Sequence, residues 1–134
     1  MYMLDTNICI YAIKNRPESV LEKIRDHLQE GLCISSITLA ELRLGVEKSA
    51  FPEKNELALI KFLSILTILP FDDAAAIEFG KISADLQRRG TPIGTMDMLI
   101  AAHAKGEHAT LVTNNVKEFV RVPDLSIENW AVLN

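Results

Sequence analysis

Three acids and one amide stand where chemistry could be done: Asp5, Glu41, Asp97 and Asn115. Asp5 closes the short apolar run Tyr2-Met3-Leu4 and is followed by Thr6-Asn7 and a helical pattern, so its carboxylate falls where a buried strand stops. Glu41 lies early on the helix after a second strand-like run, Leu32-Cys33-Ile34. Asp97 comes just after Gly94-Thr95-Met96, where a helix begins, and Asn114-Asn115 follow a third run, Thr110-Leu111-Val112-Thr113. In an open parallel sheet all strand carboxyl ends face one crevice, and ligands bind there. An α/β reading therefore gathers these four side chains at one edge. Carboxylates crowded into one crevice repel one another unless a hard cation neutralises them, and oxygen-only donors select Mg²⁺ or Mn²⁺.

Each residue also has a purely structural reading. Asp5 before a helix is a natural N-cap, a role Thr6 or Asn7 could share. Thr38 and Glu41 match a capping box. A helix starting instead at Ser35 or Ser36 leaves Glu41 more than a turn inside, at the border of a face formed by Leu39, Leu42 and Val46, where a carboxylate needs a partner. Thr95 can cap the next helix, and Asp97 in its first turn suits the helix dipole. Yet Leu99, Ile100, Ala101 and Ala104 make that helix almost wholly apolar, hence buried, so its acid must face something that compensates it. Asn pairs form turns. His103 reads as a hydrogen-bonded interior residue, and the Lys and Arg side chains as solvated charges, some of them near the crevice rim to hold phosphates. Taken singly each signal is weak; their common placement carries the reading.

The elements that must position them alternate. The pattern predicts strand 2–5, helices 6–13 and 17–29, strand 31–35, helices 36–48 and 53–65, strand 66–70, helices 73–89 and 95–106, strand 109–113, a short helix 115–119 and an edge strand near 125–128. Pro17 suits a first helical turn, Asp72 or Asp73 an N-cap, and Gly90 a helix end. Leu57, Ile60, Leu63 and Ile65 mark the apolar face of helix 53–65, and Ile77, Ile82 and Leu86 that of helix 73–89. Such alternation argues for a parallel sheet covered on both faces, in a single domain over residues 1–134. No apolar stretch approaches the roughly 18 residues needed to span a bilayer, and no secretory signal is evident, so a cytoplasmic protein is expected. Cys9 and Cys33 sit in apolar surroundings and read as buried free thiols. The net charge of −4 argues against a non-specific nucleic-acid coat, but acidic catalytic residues would depress the total in a nuclease too.

Four blocks then bear a family likeness: Met3-Leu4-Asp5-Thr6-Asn7; Ile34-Ser35-Ser36-Ile37-Thr38-Leu39-Ala40-Glu41-Leu42; Pro92-Ile93-Gly94-Thr95-Met96-Asp97-Met98-Leu99-Ile100-Ala101; and Leu111-Val112-Thr113-Asn114-Asn115-Val116-Lys117-Glu118-Phe119. In this order they resemble PIN-domain ribonucleases, and more narrowly the VapC toxins of bacterial type II toxin–antitoxin systems, from Met1 to Trp130. The resemblance implies a three-layer α/β/α domain with a short parallel sheet and Mg²⁺- or Mn²⁺-dependent endoribonuclease activity, with a tRNA stem-loop as the expected target. It implies Asp5, Glu41 and Asp97 as the catalytic and metal-holding acids, with Thr6, Asn7 and Thr113 orienting substrate or ligands. Many PIN domains carry a fourth acid where this chain has Asn115, which can bind through its carbonyl but adds no charge. The resemblance further implies a homodimer and a VapB-type antitoxin. The antitoxin would lie on apolar surface near helices 17–29 and 36–65, insert a basic side chain into the crevice, and make any DNA contact of the complex.

Other classes are set against this. A receiver-like phospho-acceptor domain needs paired acids after its first strand, whereas Asp72-Asp73 follows a middle one. A haloacid-dehalogenase-type phosphatase needs Asp-x-Asp, and the second position here is Asn7. A PIN-like domain that binds RNA or a partner with little cleavage is the remaining alternative.

Overall fold

The computed structural model describes residues 1–131. Its strands are β1 (Tyr2–Leu4), β2 (Leu32–Ser35), β3 (Thr67–Leu69), β4 (Thr110–Val112) and β5 (Ile127–Glu128). Its α-helices are α1 (Thr6–Ile13), α2 (Glu18–His27), α3 (Ser36–Lys48), α4 (Pro52–Leu63), α5 (Asp73–Arg88), α6 (Thr95–Gly106) and α7 (Val116–Phe119). The sheet order is β3-β2-β1-β4-β5, and every pairing is parallel. The expected edge strand near 125–128 is β5.

Side chains alternate across a strand, and this builds the two outer layers. Met3, Cys33 and Leu111, in register on β1, β2 and β4, face one side and pack with Ile82 and Leu86 of α5, Met98, Ile100 and Ala101 of α6, and Phe119 of α7. Leu4, Leu32, Ile34 and Val112 face the other side, against Ile8 of α1, Val20 and Ile24 of α2, Leu42 of α3, and Leu59 and Phe62 of α4. Each large apolar side chain buried in this way contributes about 2 kcal/mol. The result is the three-layer α/β/α arrangement. The free thiols Cys9 and Cys33 are buried in opposite layers. Among the described residues no helix is long and apolar enough to cross a membrane.

Local chemistry sets the boundaries. Ser35 caps α3 and Asp72 caps α5 through their side-chain oxygens. At the end of α5, Gly90 takes φ +69, and the amides of Gly90 and Thr91 return to the carbonyls of Gln87 and Leu86. A Cβ on Gly106 would stand 3.3 Å from the backbone of Ala74 and Ala75, so glycine there lets α6 close on α5.

Several expectations are corrected. The helix expected over 17–29 is α2 followed by a 3₁₀ turn, Leu28–Glu30, and Pro17 is its N-cap residue rather than part of its first turn. Leu57 and Ile60 are exposed, because α4 buries the neighbouring stripe of Leu59 and Phe62. Ile77 likewise points outward from α5 while Ile82 and Leu86 are buried.

Candidate active site

From β1 the chain runs outward to β2 and β3, then returns to place β4 on the other side of β1. The carboxyl ends of β1 and β4 therefore flank the topological switch point, where an open parallel sheet leaves a crevice. The ladder runs to its lip: the Asp5 amide donates to the Val112 carbonyl at 3.0 Å, and the Thr113 amide to Glu128 at 2.9 Å.

Asp5 combines both readings weighed from the sequence. It caps α1, with Oδ1 accepting the Ile8 amide at 2.9 Å. It is also nearly buried, at 5% exposure, and its carboxyl meets the Thr113 hydroxyl. Burial raises its pKa to about 6, with hydrogen bonds from Thr113 and Ile8 pulling down and the charges of Asp97 and Glu41 pushing up. Thr113 is buried as well, and its hydroxyl accepts the Asn115 amide at 2.9 Å, turning the chain into α7.

Glu41 lies more than a turn inside α3, because Ser35 starts that helix by accepting the Ile37 amide at 3.0 Å. The capping box with Thr38 does not form; Thr38 is buried, and its hydroxyl has no partner. Glu41 instead accepts a 2.6 Å hydrogen bond at Oε1 from the Thr6 hydroxyl, one residue beyond Asp5. Asp97 is half-buried in the first turn of α6, whose N-cap is Gly94 and not Thr95. Its pKa is raised by burial first, then by the charges of Glu118 and Glu41.

Asp5 thus feels the charges of Asp97 and Glu41, and Asp97 those of Glu118 and Glu41, while Thr113 bonds Asp5 and Thr6 bonds Glu41. Asn115 opens α7, and Asn7 is exposed on α1. Asn114 donates to the Tyr11 hydroxyl at 3.3 Å. Glu118 was not anticipated as part of this site. Its signal was available: it lies three residues after Asn115, hence on the same face of a helix. His103 is the interior, hydrogen-bonded residue that its apolar helix suggested.

Among the described residues no three His, Cys, Asp or Glu side chains are grouped closely enough to cage a metal by themselves. A closed cage built from protein ligands alone is therefore not formed by them, whereas Mg²⁺ commonly takes one or two carboxylates and keeps several waters. The donors are oxygens, and Asp5 and Asp97 are raised by burial first and by neighbouring carboxylates after it, both of which a bound cation would offset.

Fold and crevice place the molecule among parallel α/β proteins that carry an acidic, oxygen-donor site at the switch point. The PIN-domain family profile matches residues 2–125. The sequence is 48% identical to the tRNA(fMet)-specific endonuclease VapC of Salmonella typhimurium, over 96% of this chain and 97% of that one. It is 50% identical to ribonuclease VapC2 of Haemophilus influenzae, over 96% and 97%. The fold superposes with a TM-score of 0.92 on a chain of VapBC2 from Rickettsia felis, solved bound to a DNA fragment from their promoter, at 47% identity over 96% of this chain and 98% of that one. DNA-bound VapBC from Salmonella typhimurium gives 0.91 at 48% identity, over 96% and 97%. The chain belongs to the PIN-domain family and, within it, to the VapC ribonucleases.

Proposed function

We propose that this protein is an endoribonuclease toxin that hydrolyses RNA phosphodiesters in the β1/β4 crevice with Mg²⁺ or Mn²⁺, and that a VapB-type antitoxin silences it. The observation that carries this reading is Asp5, a nearly buried carboxylate at the switch point whose pKa is raised by burial and by the charges of Asp97 and Glu41. Ionised, such a group is a burden on the fold until a cation or cationic group answers it.

Asp5 and Asp97 would hold the ion directly and Glu41 through water. When bound, the ion supplies electrostatic stabilisation of the charge that builds on the phosphate. The protein's own groups supply order. The Ile8 amide and Thr113 fix the Asp5 carboxylate, and Thr6 fixes Glu41 through Oε1. Glu41 Oε2 is thereby left to accept the proton of the attacking water. Glu118 adds negative charge beside Asp97, on the side where Asn115 brings none. The water oxygen bonds to phosphorus as the bond to the 3′ oxygen breaks, leaving a 3′-hydroxyl and a 5′-phosphate, with no part for the 2′-hydroxyl.

The named substrate of the Salmonella relative supports a tRNA as the target, and the VapBC complexes support the partner. A groove of about 400 Å³ between α1, α3 and α4 is lined by Ile10, Ile13, Leu42, Val46 and Leu59, and reaches Glu41. An amphipathic antitoxin helix suits it, with an Arg reaching the acids to bond them bidentately. The walls of this groove come from α3 and α4, within the apolar surface expected near helices 17–29 and 36–65, and from α1. DNA contact would fall to the antitoxin, within an assembly built on a toxin homodimer in the cytoplasm.

The test is purified protein with tRNA in Mg²⁺, then in EDTA, with the new ends mapped. Cleavage that requires the metal, leaves 5′-phosphates and is lost in Asp5→Asn is expected. Metal-independent cutting, or 2′,3′-cyclic ends, would refute the mechanism.

A further inference from the structure

Among the described residues six polar or charged side chains are buried, and two of them, Ser35 and His103, touch each other away from the crevice acids. Both are fully buried. Ser35 ends β2 and His103 lies on α6, 68 residues away in sequence, yet Ser35 Oγ and His103 Nδ1 are 2.7 Å apart. The same Ser35 oxygen accepts the Ile37 amide that starts α3.

A serine hydroxyl has one proton to give and two acceptor positions. Ser35 spends one acceptor position on the Ile37 amide, which leaves it able either to donate to Nδ1 or to accept from it, so the contact joins the two side chains in either ring tautomer. Nε2 is buried without a hydrogen-bond partner, 3.8 Å from a Glu107 oxygen. Burial pulls the ring pKa down, against Glu107, Asp72 and the Pro70 backbone, which favours the neutral imidazole. Phe71 packs edge-on at 5.5 Å and limits ring rotation.

One hydroxyl therefore ties the start of α3 to the last turn of α6. Glu41 rides on α3 and Asp97 on α6, each six residues, or about 9 Å of helix, from its anchor. We propose that the Ser35–His103 pair is a positioning unit that sets the spacing of Glu41 and Asp97, and so tunes the grip of the crevice on its divalent ion. Neither residue touches substrate. The inference rests on the metal-dependent nuclease reading above. A buried partner that orients metal-binding groups is commonly worth 10- to 100-fold in affinity, by the general experience of such shells.

The experiment uses the full chain, with Mn²⁺ alone as the binding probe, followed by calorimetry or electron paramagnetic resonance, and tRNA cleavage read separately as kcat and KM. His103→Leu keeps apolar bulk and removes the hydrogen-bonding nitrogen; His103→Asn retains a hydrogen-bonding group near Nδ1. The unit predicts that the Leu variant weakens Mn²⁺ by about tenfold and lowers kcat with little change in KM, even where Tm does not fall. The Asn variant stays close to wild type. Ser35→Ala reproduces the Leu result, and the double variant Ser35→Ala/His103→Leu adds nothing further, because both remove one contact. Should the Leu variant fail to fold, Ser35→Ala with and without His103→Asn decides the same point, since Asn has no hydroxyl to pair with there and its rescue must vanish. Mn²⁺ affinity that is unchanged in folded variants, or that follows Tm alone, overturns the positioning unit and leaves the nuclease reading standing. Wild-type protein that neither binds Mn²⁺ nor cuts RNA overturns both.

Discussion

The two ends of the sheet are built from opposite materials. At the carboxyl end, the residues that close or follow β1, β2 and β4 are Asp5, Ser35 and Thr113, all buried and all polar. Toward the amino end, Tyr2 opens β1 and meets His27 edge-on at 4.7 Å, and His27 stacks on Trp130 at 4.8 Å. Trp130 is itself satisfied, its Nε1 donating to Glu128 at 2.9 Å. One end therefore carries, in Asp5, a buried acid that burdens the fold when ionised unless something arrives, with Ser35 and Thr113 hydrogen-bonded around it; the other closes on itself. Buried polar groups cost stability when their partners are incomplete. Their concentration at one end marks where stability has been exchanged for binding.

The sharpest way to break the contrast is to remove charge from the carboxyl end without removing shape. Asp5→Asn keeps the N-cap, since Asn caps as well as Asp, and nearly the same volume. Cleavage should fall by about 10²-fold or more, the scale of losing a group that organises charge at the reacting phosphate. Circular dichroism should be unchanged. A variant that retains metal-dependent cleavage within a few-fold of wild type would remove Asp5 from the chemistry.

The opposite substitution is Trp130→Ala. A buried aromatic truncated to Ala costs about 3–5 kcal/mol, and Trp130 is only 2% exposed. Denaturant unfolding should show a loss of that size. Below the new Tm, kcat should stay near wild type, because none of the crevice acids contacts this cluster. A proportionate fall in kcat at temperatures where the variant is fully folded would mean the two ends are coupled.

How much of this was legible from the sequence follows from the range of each interaction. Strands ending in Asp5 and Thr113 could be read because apolar runs and the residues that close them are neighbours in the chain. The bounds of α3 could be read too, but the role of Glu41 stayed open between two helix starts until Ser35, not Thr38, proved to be the cap. The face of α4 was misread because Leu57/Ile60 and Leu59/Phe62 are both spaced at three residues. Only the docking of α4 against α1 and α3 chooses between them. Glu118 escaped although its spacing of three from Asn115 carried a signal, because a four-residue helix shows too little of a repeat to fix its face. The Ser35–His103 contact joins a strand end to a helix 68 residues away, and no local pattern reports that.

An effect of at most about 3 kcal/mol concerns pH. Asp5 has a folded-state pKa of about 6, above the ordinary carboxylate value. Between that ordinary value and 6 the folded chain binds more protons than the unfolded one. Its stabilising contribution is therefore complete below pH near 3.8 and is lost as pH rises through about 6. In EDTA, wild type should lose stability across this window, while Asp5→Asn should lose less and be the more stable protein at pH 7. Added Mg²⁺ should recover stability in wild type and not in the variant. A wild-type profile in EDTA that rises from pH 4 to 7 more steeply than that of the variant would contradict the raised value.

The finest comparison lies within the acidic end, between Asn115 and Glu118. Asp97 is raised by burial first and, among charges, by Glu118 ahead of Glu41, so Glu118 already supplies negative charge on the α7 side of the crevice. Glu118→Gln should therefore weaken Mn²⁺ by a few-fold to about tenfold, the range of losing one partly screened charge or outer partner. Asn115→Asp returns a charge one helical turn earlier. In the wild-type background it should tighten Mn²⁺ modestly and lower stability in EDTA, since another acid joins a crowded crevice. In the Glu118→Gln background it should restore most of the lost affinity. If Asn115→Asp tightens binding equally in both backgrounds, the two positions act independently and Glu118 is not compensating for the amide. Full restoration only in the Gln background would mean that one negative charge on α7 suffices, and that the helix can present it from either turn.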